Sequence, residues 1–278
     1  MRRSSFFEGI SQAELSVAGH DVRLPIFYYD GRAVTALFPA RLGALKRIMP
    51  DRSFVPARLA PGVGVVGVTA FEYTDTDIGP YNELAISVVL HDPPYLPNLP
   101  GLAMARMLRR SRLHAYVHHL PVTTEIAWAG GRAFYNYPKF VADIEFSART
   151  AEGLRCELSE NGRPILTLEA DHVQANDEIE LQLFSHLWMD RQPQSSEFKL
   201  HAVRSGRTSR FGAARVKPAA GHPIGRELDG LLLSRRALQV QHLECFEGIL
   251  YGPEHLSLPF LTQVQEASAG DRLGAPAA

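Results

Sequence analysis

A mainly β domain with antiparallel strands and a few peripheral helices is the fold class the sequence predicts, on three observations. Turn dipeptides separate β-rich runs: Asp30-Gly31 and Asn161-Gly162 favour the positive φ angles of two-residue hairpins, and Glu152-Gly153 is a weaker signal of the same kind. Two long runs rich in β-branched and aromatic residues, 62–73 and 81–91, are joined by a short polar segment. Helical periodicity is confined to short stretches.

The elements follow in order. Residues 24–29 and 33–38 are expected to form a hairpin about Asp30-Gly31. Leu42, Leu45, Ile48 and Met49 recur at helical spacing and stop at Pro50, which ends a helix. The run 62–73 is expected to pair with 81–91. Pro93, Pro94, Pro97 and Pro100 then forbid regular pairing and mark an ordered loop. A second short helix is expected over 101–113, with Arg106, Arg109, Arg110 and Arg112 suiting its C-terminal end. Residues 115–120 read as strand, so His118 and His119 are expected on opposite faces. No carboxylate pattern accompanies them, and neither a metal site nor a cofactor is expected. A meander of about three strands spans 140–172, and a third helix is expected over 226–240. No repeat or linker divides the chain: one domain is expected over 1–265, with a flexible tail at 266–278.

Composition excludes several function classes. With 278 residues, 45% hydrophobic and 21% charged, the chain is that of a folded globular protein. No run approaches the ~18 apolar residues of a spanning helix. Basic Arg2-Arg3 is followed by Glu8 without an apolar run, so it does not read as a secretory signal, and the cytoplasm is the expected compartment. A formal net charge of -1 gives no basic excess for nucleic acid or an anionic membrane. Cys156 and Cys245 read as two free thiols. Gly62-Val63-Gly64-Val65-Val66-Gly67 matches the dinucleotide fingerprint formally, but β-branched residues follow it where a helix is needed.

Two residues stand out as chemistry. Only four of the 29 basic residues are lysines: Lys46, Lys139, Lys199 and Lys217. A lysine in an apolar setting can lose a proton where arginine cannot. Lys139 is such a residue, in Gly131-Arg132-Ala133-Phe134-Tyr135-Asn136-Tyr137-Pro138-Lys139-Phe140-Val141. On a strand it would share a face with Tyr137 and Val141. Burial disfavours an ammonium and can lower a lysine pKa by up to ~3–5 units, the condition for amine nucleophilicity. The alternative is a lysine whose stem runs along Tyr137 to solvent. Glu83 opens an otherwise apolar strand after Pro80-Tyr81-Asn82, either as a strand-end contact with water or as an acid in a pocket.

Together these segments resemble the acetoacetate decarboxylase family, which carries a Tyr-x-Glu segment at a strand start and a Gly-Arg-x4-Tyr-Pro-Lys-Lys segment. Weaker similarity extends through Ala44-Leu45-Lys46-Arg47-Ile48-Met49-Pro50 and Glu125-Ile126-Ala127-Trp128-Ala129. The resemblance implies an antiparallel β-barrel or cone, with Lys139 as the Schiff-base lysine and Glu83 as its acid–base partner. It places Tyr81, Tyr137 and Phe140 beside the substrate and makes Arg32 the candidate for its carboxylate. It also marks 92–113 as an inserted loop and helix.

The reaction so implied is decarboxylation of a small-molecule β-keto or oxo-acid through a lysine imine. No nucleic-acid or membrane partner is implied, and a homo-oligomer is expected. Phe140 departs from the pattern, because the family's decarboxylases carry there a second lysine associated with lowering the pKa of the first. Two alternatives stay open: an aldolase-dehydratase using the same imine, and a non-catalytic member that binds a small molecule.

Overall fold

Strands dominate because the chain's apolar residues alternate, and in the long strands both faces find cover. The structure is a computed structural model describing residues 5–91, 97–150, 153–189 and 192–253. A 3-10 turn (Ser5–Phe7) precedes a small hairpin of β1 (Ala13–Val17) and β2 (His20–Leu24). Seven strands form a closed barrel: β3 (Ile26–Arg41), β4 (Val63–Thr76), β5 (Tyr81–Val89), β6 (Arg112–His119), β10 (Asp177–Met189), β11 (Gln192–Thr208) and β13 (Gln239–Leu250). Around the barrel they run β10-β11-β13-β3-β4-β5-β6, and β6 returns to β10 as a parallel pair.

A four-stranded sheet lies against the barrel wall. It consists of β7 (Asp143–Thr150), β8 (Gly153–Glu160), β9 (Arg163–Asp171) and β12 (Ala214–Pro218), in the order β12-β9-β8-β7. The expected meander is its β7-β8-β9 portion. Asn161 and Gly162, with φ of 52° and 72°, make the turn between β8 and β9 that the dipeptide predicts. The helices are α1 (Leu42–Ile48), α2 (Leu102–Arg110), α3 (Glu125–Tyr135) and α4 (Pro223–Leu231).

Period-2 alternation divides the residues between two cores. On β4 and β5, Val66, Val68, Ala70, Leu84, Ile86 and Val88 face outward and pack with Ile144, Cys156, Leu158 and Leu168 of the sheet. Phe71, Tyr73, Glu83, Ala85 and Ser87 occupy the alternate positions and face the barrel interior. That alternation turns Glu83 inward. A slip of one residue would drive its carboxylate into the sheet interface.

Several expectations are corrected. Asp30-Gly31 is no hairpin: β3 runs through it, with register irregularities against both β4 and β13. The glycine answers a close approach, since a Cβ there would stand 2.8 Å from Cζ of Phe246. The helix expected over 101–113 ends at Arg110, and Arg112 and Leu113 begin a barrel strand. The helix expected over 226–240 is α4, ending at Leu231, and Gln239 opens β13. The tail at 266–278 and residues 92–96 of the expected insert lie outside the described residues. No helix among the described residues is long and apolar enough to cross a membrane.

Candidate active site

Lys139 is not on a strand. Helix α3 ends where Asn136 takes the left-handed conformation (φ 51°) and donates its backbone N–H to the carbonyl oxygens of Arg132 and Gly131. The chain reverses there, and the Tyr137 N–H also bonds to the Gly131 carbonyl, at 3.0 Å. Pro138 then sits at the centre of a tight turn closed by Lys139 N–H to the Tyr137 carbonyl, at 2.7 Å. Lys139 is thereby folded back along the last turns of α3.

Gly131 makes this possible. A Cβ at that position would stand 2.4 Å from Cδ and 2.6 Å from Cε of Lys139. The glycine of the Gly-Arg segment is thus the bare patch of helix on which the lysine stem lies. The backbone on either side of Lys139 is pinned as well. Leu120 N–H donates to the Pro138 carbonyl at 3.2 Å and Val122 N–H to the Phe140 carbonyl at 3.0 Å.

The same segment fixes Glu83. Leu84 N–H donates to the Pro121 carbonyl at 3.1 Å, and Thr123 N–H to that of Asn82 at 3.1 Å. Lys139 Nζ donates to Glu83 Oε2 at 2.8 Å, and the two residues are 6% and 7% exposed. A buried ammonium–carboxylate pair of this kind is costly to create and costlier to break, because the survivor is left without a counter-charge. Tyr73 OH approaches the other carboxylate oxygen at 3.4 Å. Lys139 Nζ lies 5.6 Å from the ring centroid of Tyr81 and 5.8 Å from that of Tyr137, within cation–π range.

Tyrosine hydroxyls complete the polar surface. Those of Tyr28 and Tyr81 bond to one another at 3.0 Å, and that of Tyr137 meets Ser185 Oγ at 2.6 Å. Burial, with the nearby Glu83 charge adding to it, pushes the Tyr28 and Tyr73 hydroxyls above the usual phenol range. Burial raises Tyr81 and Tyr137 likewise. All four are neutral hydroxyls at pH 7, able to donate as well as accept hydrogen bonds.

Lys139, Glu83, Tyr28, Tyr73 and Tyr137 line a cavity of about 100 Å3, whose remaining wall is largely apolar, including Phe71, Val117, Leu183, Phe198 and Leu250. Lys139 is its only basic lining residue among the described residues. A second cavity of about 60 Å3 shares Phe71, Leu113 and Leu183 with the first and includes Arg112 and Arg207 in its lining.

The residues singled out in the sequence are therefore partly gathered. Lys139, Glu83 and Tyr137 meet in one cavity, and Tyr81 packs beside the amine. Val141, expected on the same face as Lys139, is 39% exposed. Phe140 points the other way, against the core between barrel and sheet. Arg32 stands opposite Glu72 on β4, 4.0 Å from its carboxylate, with a side chain 43% exposed, and it does not line the cavity. Sequence reasoning missed Gly131 as a spacer, and Tyr28, Tyr73 and Ser185. The roles of the last three depend on barrel register, for which the local sequence carries no signal.

A closed β-barrel holding a buried amine–carboxylate pair in an apolar cavity is the class that this fold and cavity define. The chain belongs to the acetoacetate decarboxylase (ADC) family, whose sequence model matches residues 20–218. No curated protein sequence matches it. Among solved structures, an acetoacetate decarboxylase superposes with a TM-score of 0.58 at 15% identity, over 85% of this chain and 92% of that one. The acetoacetate decarboxylase of Legionella pneumophila gives 0.58 at 14% identity, over 82% and 86%. The enduracididine biosynthesis enzyme MppR, complexed with pyruvate, gives 0.59 at 14% identity, over 85% and 92%. At these identities the likeness is one of fold.

Proposed function

We propose that the protein is a Schiff-base lyase acting on a small oxo-acid through Lys139, with Glu83 as its proton partner. The observation that carries this reading is the 2.8 Å contact between two buried groups in an apolar cavity. Glu83 takes a proton from Lys139, and the free amine attacks the ketone carbon. Water leaves, and a protonated imine remains. In a β-keto acid the bond to the carboxylate then breaks, its electron pair passing through the α-carbon toward the imine nitrogen. Forming the imine returns the Glu83 proton to the departing water, so after carbon dioxide leaves a proton drawn from solvent reaches the enamine carbon through Glu83, and hydrolysis returns the amine. The neutral hydroxyls of Tyr28 and Tyr73 are the hydrogen-bond donors available to the substrate oxygens.

The cavity bounds the substrate. At about 100 Å3 it is smaller than the ~150 Å3 cavity that houses benzene, which suits an oxo-acid of a few carbons with an apolar tail. Arg112 and Arg207 replace Arg32 in this reading as the candidates for a carboxylate, because they line the adjoining cavity.

A second reading is aldol condensation and dehydration, and two observations favour it. No second lysine lines the cavity among the described residues, since Phe140 faces the sheet. The adjoining 60 Å3 cavity offers room for an aldehyde beside a lysine-bound oxo-acid. MppR, which has this fold, is a biosynthetic enzyme found with pyruvate.

Product analysis separates the two. Carbon dioxide released from acetoacetate supports decarboxylation, and an enone from pyruvate plus an aldehyde supports condensation. Neither product, with small oxo-acids still binding, leaves a binding protein. A single domain fits the shared core between barrel and sheet. A cytoplasmic homo-oligomer completes the proposal, its assembly to be read by light scattering.

A further inference from the structure

His118 and His119 should diverge by strand alternation, yet they do not. The pairing of β5 with β6 passes from Ser87↔Val117 to Ile86↔His119, leaving His118 as an extra residue. This is a β-bulge, a device that re-aims side chains. It brings the two imidazoles together, with ring centroids 4.3 Å apart. The carboxylate absent from the local sequence arrives from α4, 108 residues on: Glu227 Oε2 lies 2.8 Å from His119 Nε2. Its other oxygen, Oε1, lies 3.1 Å from His118 Nε2, which makes no well-aligned hydrogen bond and is buried as an atom.

We propose that His118, His119 and Glu227 form a binding site for a divalent transition-metal ion of the zinc class, with a water in the fourth position. Two imidazoles and one carboxylate are a borderline-soft donor set that suits such ions. The three donor atoms lie within 4.8 Å of one another. Tetrahedral zinc with ~2.0–2.2 Å bonds needs its ligand atoms ~3.3–3.6 Å apart. The 2.8 Å contact to Glu227 therefore opens by ~0.5–0.8 Å and the widest donor separation, at most 4.8 Å, closes by no more than ~1.5 Å, shifts within reach of side-chain rotation.

The side chains of His118, His119 and Glu227 are 15%, 21% and 37% exposed, which leaves a way in for the ion and its water. None of them lines the Lys139 cavity. The site ties α4 to the end of β6. The next residues, Leu120 and Val122, hold the backbone on both sides of Lys139. A bound ion would thus fasten the strand end from which the lysine loop hangs, without touching the reaction.

The test is calorimetric titration of the full, tag-free chain with zinc chloride, alongside His119→Asn, Glu227→Gln and, as a control, His114→Asn on the same strand. The expected result is one zinc per chain, weakened more than tenfold by each of the first two substitutions and unchanged by the third. Zinc should also slow diethylpyrocarbonate modification of His118 and His119 in the unsubstituted protein, a readout that needs no variant to fold. Cobalt(II) should give visible d–d bands without a thiolate charge-transfer band. Absence of saturable binding at one ion per chain would overturn the proposal, as would binding that survives both site substitutions or modification that zinc does not slow.

Discussion

Gly131→Ala separates the placement of Lys139 from the stability of the fold. The added methyl would stand 2.4 Å from Cδ, 2.6 Å from Cε and 3.2 Å from Nζ of Lys139. Carbon atoms pack best at ~3.5–4.0 Å, so the lysine stem must retreat by about 1 Å. With the residue 6% exposed, that retreat draws Nζ off its 2.8 Å contact with Glu83. A misplacement of ~1 Å in a reacting group costs ~100-fold in rate. Stability moves far less. Overpacking of ~1–3 kcal/mol is offset by ~1 kcal/mol, because alanine is the better helix former inside α3.

The assay is the rate at which Lys139 is reductively alkylated by pyruvate or acetoacetate with cyanoborohydride, read by peptide mass spectrometry, beside urea unfolding. The expected outcome is labelling ~100-fold slower, with unfolding free energy within ~2 kcal/mol of the parent. Gly130→Ala is the control. A Cβ there meets only ring carbons of Phe134, at 3.9 Å, and labelling should be unchanged. Labelling of Gly131→Ala at the parental rate, or an equal loss in Gly130→Ala, would refute the reasoning.

Three further outcomes follow from the same geometry. Glu83→Gln leaves Lys139 buried without its counter-charge and should cost ~3–5 kcal/mol in urea unfolding. Adding Lys139→Met to that variant should recover much of the loss, since no unpaired charge remains. Gly31→Ala should cost ~1–3 kcal/mol, because the methyl meets the Phe246 ring at 2.8 Å and that ring is 0% exposed, with nowhere to move. Burial, with the charges of Glu157 and Glu72 adding to it, pushes the Cys156 thiol up to about 12. Thiolate forms only as pH rises toward that value, so at pH 8 a maleimide should label the half-buried Cys245 and spare Cys156 until the chain unfolds.

The parts of the fold legible in the sequence were those decided locally. Asn161-Gly162 needs two positive φ angles, and the chain supplies the two residues that tolerate them. The helix before Pro50 has its apolar spacing and its stop within nine residues. Where tertiary contacts decide, local reading failed. Asp30-Gly31 carries a turn signal, but the glycine is there to admit the Phe246 ring. Helix α3 was not read from the sequence, because Gly130 and Gly131 each cost ~1 kcal/mol of helix propensity.

The site shows the same division. Lys139 and Glu83 were visible as charges out of place in apolar runs. Of the tyrosines around them, Tyr28 and Tyr73 were not, since only barrel register brings β3, β4 and β5 to one point. Arg32 looked close to hand in the chain, but alternation along β3 turns it to the outer face. The pairing of His118 with His119 was hidden for a similar reason: a bulge reverses the alternation that a regular strand imposes, and their carboxylate comes from a distant helix.

The central claim is that Lys139 forms an imine, and borohydride trapping across a panel of small oxo-acids, followed by peptide mapping, tests it most directly. The account predicts the mass of one reduced imine on the peptide carrying Lys139, absent from Lys139→Met. No adduct with any oxo-acid would contradict it, as would adducts spread equally over Lys46, Lys199 and Lys217.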